Sequence, residues 1–334
     1  MGTTVNGMAV EISALFISVF LLAVNGQQRE EPAGYMRREY SLLKPFDGTG
    51  TLHHWEILGS AIATNDYIRL TPDHQSKQGA VWNLMPLFVR NWEIHIKFKV
   101  HGQGTRLFGD GFAFWYARDK AILGDIFGSK DKFSGLGIFF DTYSNHNDAH
   151  THDHPYISAQ VNNGTLSYDH DSDGTHSEVA GCTSYFRASE SDTFVAIRYL
   201  GSEKRLTVQH DVDGEGKWRE CFDVVGVELP TSYYLGFSAA TGDLADNHDI
   251  LSMKLYDLDN ENAGDPSQEE TAKIVPRALK AAAYREHIYG PPAGTRTQRA
   301  VGWLVGIVLF AVVAAVGGYF YYDKRQRDSA KRFY

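Results

Sequence analysis

Between positions 93 and 100 apolar and polar residues alternate without a break, so that Ile94, Ile96, Phe98 and Val100 fall on one side. A period of two is the signature of a strand with one buried face. Shorter stretches of the same β-branched and aromatic character recur at 194–200, 206–212, 234–238 and 253–258. The run 136–140 is apolar almost throughout, which predicts a strand covered on both faces. Asn163-Gly164, set between Val161-Asn162 and Thr165-Leu166, predicts a tight hairpin with the Asn-Gly pair at its tip. No long amphipathic helix interrupts these segments. Many short strands separated by turn signals predict an all-β sandwich.

Two apolar stretches depart from this pattern. The first, 12–24, is too short to span a bilayer and is followed by Asn25-Gly26-Gln27. It predicts a signal peptide over 1–26. No Lys or Arg precedes it and Glu11 adjoins it, so a retained N-terminal anchor is the alternative. The second, 300–322, carries no charge, and about 20 apolar residues are what a membrane span requires. Trp303 and Tyr319, Tyr321 and Tyr322 flank it as interfacial aromatics, and Lys324, Arg325, Arg327, Lys331 and Arg332 follow. The positive-inside rule then puts 323–334 in the cytosol and 27–299 in the lumen, a type I topology. Within the lumenal part, 38–259 is expected to be one β domain. The stretch 260–299, with Asp-Pro-Ser-Gln and Gly-Pro-Pro-Ala-Gly, is expected to be a stalk. Its residues 273–289 suit either a short helix or packing against a partner.

The formal charge is −9, and no basic stripe points to nucleic acid. With two cysteines there is no Cys-rich zinc pattern. Both Cys182 and Cys221 lie in the expected lumenal part, so a disulfide between them is expected, with two free buried thiols as the alternative. Asn163-Gly164-Thr165 is an N-glycosylation sequon.

The candidate chemistry is oxygen-based. Asp141-Thr142-Tyr143-Ser144-Asn145 and the later Asp173 offer two carboxylates, an amide and backbone carbonyls, the hard donors that Ca²⁺ prefers. Asn145 can also turn one edge of its amide to a metal and the other to a ligand hydroxyl. The segment 169–174 (Asp-His-Asp-Ser-Asp-Gly) begins like an EF-hand loop, but Ala180 stands where that loop needs a bidentate Glu. His146, His150, His152 and His154 form a histidine-rich stretch that fits either an exposed polar loop or zinc binding.

Six segments occur in one order: Glu39-Tyr40-Ser41-Leu42-Leu43-Lys44-Pro45-Phe46, Gly109-Asp110-Gly111-Phe112-Ala113-Phe114-Trp115, Phe139-Phe140-Asp141-Thr142-Tyr143, Pro155-Tyr156-Ile157-Ser158, Ser167-Tyr168-Asp169-His170 and Thr241-Gly242-Asp243-Leu244. Together they resemble the animal L-type lectins of the early secretory pathway, most nearly their vesicular integral-membrane group. The resemblance covers nearly all of 38–259, the membrane span and the Lys-Arg-Phe-Tyr end. It implies a legume-lectin-like sandwich that binds Ca²⁺ and high-mannose N-glycans. It also implies Ca²⁺ ligands at Asp141, Asn145 and Asp173 through side chains and at Tyr143 through its carbonyl. Mannose contacts are implied at Ser76, Asp110, Asn145, His170 and Gly242-Asp243-Leu244. The histidine-rich stretch departs from the family pattern, as does Ser144, where proline is usual.

The expected function is that of a non-enzymatic, Ca²⁺-dependent lectin for high-mannose glycoproteins. It would act in transport, retrieval or quality control in the ER, the ER–Golgi intermediate compartment and the Golgi. A glycoside hydrolase on the same sandwich is one alternative, although the Glu-x-Asp-x-x-Glu strand pattern is missing. A Ca²⁺-rigidified adhesion receptor is another. Lys331-Arg332 and Phe333-Tyr334 resemble tail signals read by vesicle coats. His170, set against the sugar by the resemblance, is expected to couple cargo release to acidification, because imidazole titrates near pH 6.5.

Overall fold

The structure, a computed structural model, describes residues 27–29, 31–46, 50–145, 152–259 and 268–279. The expected signal peptide, membrane span and tail, including Lys331, Arg332, Phe333 and Tyr334, lie outside the described residues, as do His146 and His150. Among the described residues no helix is long and apolar enough to cross a membrane.

The alternating stretch is the strand Asn91–His101, in which Trp92, Ile94, Ile96, Phe98 and Val100 are all fully buried. It is central in one antiparallel sheet, between Thr193–Leu200 and Asn247–Asp257. Arg205–Asp211 and Lys217–Val225 continue that sheet beyond Thr193–Leu200. The intervening residues lie on the opposite face and are polar: buried Glu93 pairs with Arg198 and His95, and Lys97 with Asp192.

The second sheet runs in the order Ala180–Thr183, Tyr156–Asn163, Ser134–Asp141, Gly111–Ala117, Tyr234–Thr241, Lys77–Asn83 and Trp55–Gly59. Its pattern differs because both of its faces are dry. In Gly111–Ala117, Phe112, Phe114 and Tyr116 join the core between the sheets, while Ala113, Trp115 and Ala117 join a second cluster. Phe127, Phe133 and Tyr168, from loops outside the sheet, cover that second face. The same division explains the apolar run: Leu136, Ile138 and Phe140 point into the main core and Phe139 into the satellite. Every residue of Ser134–Asp141 is buried. The all-β sandwich expected from the strand pattern is therefore the fold.

The hairpin expected at Asn163-Gly164 does not form. The strand Tyr156–Asn163 ends there, and its outer neighbour is Ala180–Thr183. The Asn162 amide substitutes for a hairpin ladder: it accepts from the N–H groups of Gly164 (3.0 Å) and Leu166 (3.2 Å) and donates to the Leu166 carbonyl (2.7 Å). Asn side chains compete with backbone partners in this way. Asn163 itself is exposed.

Residues 268–279, from the segment read as a stalk, pack on the sandwich. Helix Gln268–Ala272 buries Thr271, whose Oγ1 lies 2.9 Å from that of Thr231. Arg277–Ala278 pairs as a strand with Val227–Glu228, so the described part of 273–289 is not a continuous helix.

Cys182, on the edge of the second sheet, is disulfide-bonded to Cys221 of the first, with Cα atoms 5.3 Å apart. The bond staples the two layers at one edge and closes a loop with a sequence separation of 39. In the chain-entropy account such a loop contributes about 4 kcal/mol. Replacing both cysteines with alanine is expected to lower the urea midpoint of unfolding accordingly, as followed by tryptophan fluorescence. An unchanged midpoint would mean that the bond does not constrain the unfolded chain.

Candidate carbohydrate and metal site

Strand register assembles the site. Across the second sheet Lys77 faces Thr241, Ala240 faces Gly111, Gly111 faces Asp141, and Asp141 faces Tyr156. These strands therefore begin or end at one level. The residues just beyond them are thrown together: Ser76, Gly242-Asp243-Leu244, Asp110, and the segment after Asp141.

Backbone and side-chain hydrogen bonds tie these loops to one another. The Ser76 N–H donates to the Gly242 carbonyl (3.1 Å), and the Thr241 hydroxyl donates to the His74 carbonyl (2.7 Å). The Gln75 amide donates to the Asp243 carbonyl (2.6 Å). The Thr142 N–H and hydroxyl both donate to the Asp110 carbonyl at 3.0 Å. Gly109 lies against Tyr143 and Leu244, which leaves little room for a side chain at that position.

A cavity of about 180 Å³ opens at this level, and Asp110, Asp141, Asn145, His170 and Asp173 line it. Ser76, Tyr143 and Gly242 to Leu244 belong to the loops around it rather than to its lining. Asp125, Phe127, Tyr168 and Ala240 also line it. Of these, only Tyr168 and its motif stood out in the sequence. Asp125 and Phe127 are brought in by the loop that covers the sheet, and no local signal marks them. A second cleft, about 60 Å³, lies beneath Thr271 and Ile274. It is smaller, and none of the site's carboxylates lines it.

Asp141 and Asp173 are 7% and 5% exposed. Asp141 accepts from the Tyr143 N–H at 3.0 Å, and Asp173 accepts from the Asn145 N–H at 3.2 Å. Asp173 holds this position in a left-handed conformation (φ 45°), which Asp tolerates better than most residues. Gly174 follows at φ 68°, pressed so closely on the Tyr168 ring that a Cβ would collide with it. The segment is a tight turn around the 3₁₀ helix His170–Ser172, not an EF-hand.

Burial pushes the Asp141 carboxyl well above the usual range, and Asp173 and then Asp110 add like-charge repulsion. Two carboxylates buried in one cavity call for a cation. The donors that line the cavity, two carboxylates and the Asn145 amide, are hard oxygens, so the residues present fit Ca²⁺. His154 also approaches: its Nε2 is 3.5 Å from Asp173 and 3.9 Å from Asp141.

Asp110 is pushed up to about 6, first by burial, then by Asp243, against a stabilising bond from the Gly242 N–H. A carboxylate aimed into a cavity and only partly satisfied is suited to accept hydroxyl protons from a ligand.

A model of the legume-like lectin family matches residues 33–265. The chain is 44% identical over 328 residues to human vesicular integral-membrane protein VIP36, with 96% of this chain and 91% of that protein covered. It is 42% identical to a bovine VIP36-like protein, covering 98% and 94%. The crystal structure of the VIP36 exoplasmic/lumenal domain in its Ca²⁺/Man2-bound form superimposes with a TM-score of 0.69 at 49% identity, over 74% of this chain and 99% of that one.

Proposed function

We propose that this chain, which belongs to the legume-like lectin family, is a Ca²⁺-dependent receptor for high-mannose N-glycans on glycoproteins. The observation that carries the reading is that one cavity is lined by Asp110, Asp141, Asn145, His170 and Asp173. Asp141, Asn145, Asp173 and the Tyr143 carbonyl would hold Ca²⁺, which would neutralise the buried carboxylates and supply a fixed positive charge. Asn145 would then be oriented with part of its amide free for a sugar hydroxyl. Asp110 would accept from hydroxyls on the other side. Backbone groups of Gly242 to Leu244 would approach the ring, with Ser76 and His170 at the rim. Recognition by a few aimed polar groups around one ring suits a monosaccharide unit at the end of a branch. The relatives support the reading, since VIP36 lumenal domains have been crystallised with Ca²⁺ and mannose ligands.

A glycan array probed with and without chelator tests it. Binding confined to high-mannose structures and lost in chelator is expected, with free mannose eluting the ligand uncut. Cleavage of the glycan would favour the hydrolase alternative, and indifference to mannose the adhesion receptor.

Gly242 offers a finer test. A Cβ there would stand 3.3 and 3.4 Å from the two Asp110 carboxylate oxygens. Gly242→Ala is expected to weaken mannose binding several-fold while leaving Ca²⁺ affinity unchanged. Equal mannose affinity would remove Asp110 and this loop from the sugar site.

The cellular part of the proposal is a type I protein of the early secretory pathway. The domain would be lumenal, the span at 300–322, and an N-glycan would sit on exposed Asn163. Lys331-Arg332 and Phe333-Tyr334 would engage vesicle coat components. Lys331→Ala with Arg332→Ala is expected to move the protein toward the late Golgi or cell surface. An unaltered distribution by microscopy would show that retrieval does not use this pair.

A further inference from the structure

The end of the histidine-rich stretch is not an exposed loop. His152 is 8% exposed, and the His154 side chain 6%. Their rings are 4.9 Å apart, and His152 stacks on Tyr156 with centroids 3.5 Å apart. The backbone around them is tethered to the neighbouring edge strand. The Thr183 hydroxyl donates to the Asp153 carbonyl (3.3 Å), and the Ser184 N–H donates to the Pro155 carbonyl (2.8 Å). The imidazoles are thus delivered from a held segment toward Asp173. One ligand atom from each of His152, His154 and Asp173 lies within 4.8 Å of the others.

This donor set differs in kind from the oxygen set beside it. Imidazole nitrogens favour zinc, copper and nickel, whereas carboxylates and carbonyls favour calcium. Two histidines, one carboxylate and a water form a recognised zinc arrangement, with ligands about 2.0–2.1 Å from the metal. A tetrahedral ion of that size sets its ligands about 3.4 Å apart, so side-chain rotations of roughly an ångström at the two imidazoles would complete the shell. We infer that His152, His154 and Asp173 form a second metal site, for a divalent cation of the Zn²⁺ class, sharing the Asp173 carboxylate with the proposed Ca²⁺ site. The inference rests on the calcium reading only through that shared carboxylate. Its consequence is mechanical. Asn145, where the segment leaves the sugar site, is already tied to Asp173 through its N–H. A cation on His152 and His154 would tie the returning end to the same residue.

The test uses the tag-free full chain in detergent, saturated with Ca²⁺ and titrated with Co²⁺. The expected result is one Co²⁺ per chain with strong visible ligand-field absorption, displaced by Zn²⁺ and not by millimolar Ca²⁺. His152→Gln with His154→Gln is expected to weaken Co²⁺ binding at least 100-fold and to spare Ca²⁺-dependent mannose retention. His53→Gln, at an exposed histidine, is the control. If the double variant does not fold, X-ray absorption of the unmodified Zn²⁺-loaded chain decides, and two imidazole ligands are required. No Co²⁺ uptake beside Ca²⁺, its displacement by Ca²⁺, an unaffected double variant, or fewer than two imidazoles would overturn the inference. Failure of the unmodified, Ca²⁺-saturated chain to retain mannose while it takes up Co²⁺ as expected would count against the calcium reading and not against this site.

Discussion

Asp141→Asn is expected to do two opposite things. It should reduce Ca²⁺-dependent mannose binding at least about 100-fold, or about 2.8 kcal/mol, and it should stabilise the metal-free fold. The first effect follows from removing one of two carboxylates that would hold the cation. The second follows from the buried repulsion between Asp141, Asp173 and Asp110. The sign is fixed by the direction of the shift. Asp141 has a raised carboxyl pKa in the fold, so the protonated form is the favoured one. Its contribution to stability is present below the ordinary carboxylate range and is lost as the pH rises through the raised value. At neutral pH the metal-free protein therefore carries a penalty, which an uncharged amide of the same shape relieves. Ca²⁺ should raise the melting temperature of the unmodified protein by linkage and leave that of the variant unmoved. Differential scanning calorimetry with chelator and with Ca²⁺ measures both effects. A variant that melts lower than the unmodified protein in chelator would show that Asp141 is not under repulsion.

Mannose affinity is expected to fall steeply as the pH drops from 7.4 to 5.5, with Asp110 contributing the larger share. Its carboxyl, at about 6 through burial and Asp243, is mostly ionised at neutral pH and mostly protonated at the lower limit. The ionised form could accept from two sugar hydroxyls, whereas the protonated form would give up part of that capacity. Binding is thus present above this value and lost as the pH falls through it. Bound Ca²⁺ would pull the midpoint lower, since a nearby cation favours the carboxylate. Asp110→Asn should bind about tenfold more weakly at pH 7.4, the loss of one charge-assisted hydrogen bond, and should show a flattened profile. His170, exposed on the rim, is the competing switch anticipated from the sequence. Titrating Asp110→Asn and His170→Gln side by side at saturating Ca²⁺ separates them. A steep profile that survives Asp110→Asn and disappears in His170→Gln would transfer the role to His170.

The strands were legible in the sequence because their side chains alternate against one large core. Ile94 to Val100 announce one dry face, and Leu136 to Phe140 announce two, with no knowledge of neighbours. The donor set proposed for Ca²⁺ was legible for a similar reason. Asp141, Tyr143 and Asn145 are close in the chain, and Asp173 sits in a turn whose Asp-Gly pair is itself a local signal. Ser76, Asp110 and Gly242 to Leu244 are individually mute, and only the resemblance to a family singled them out. Strand register, a property of the whole sheet, is what brings them to one level. Three further features were decided by tertiary structure alone. Asn162 overrode the hairpin because a side-chain amide could satisfy the backbone groups that a two-residue turn would have paired. Asp125 and Phe127 entered the cavity because the second face of the sheet needed a cover. His152 and His154, which the sequence favoured as solvated loop over metal ligands, lie buried beside Asp173. Composition sets what a histidine can bind, but only the path of the chain sets what it faces.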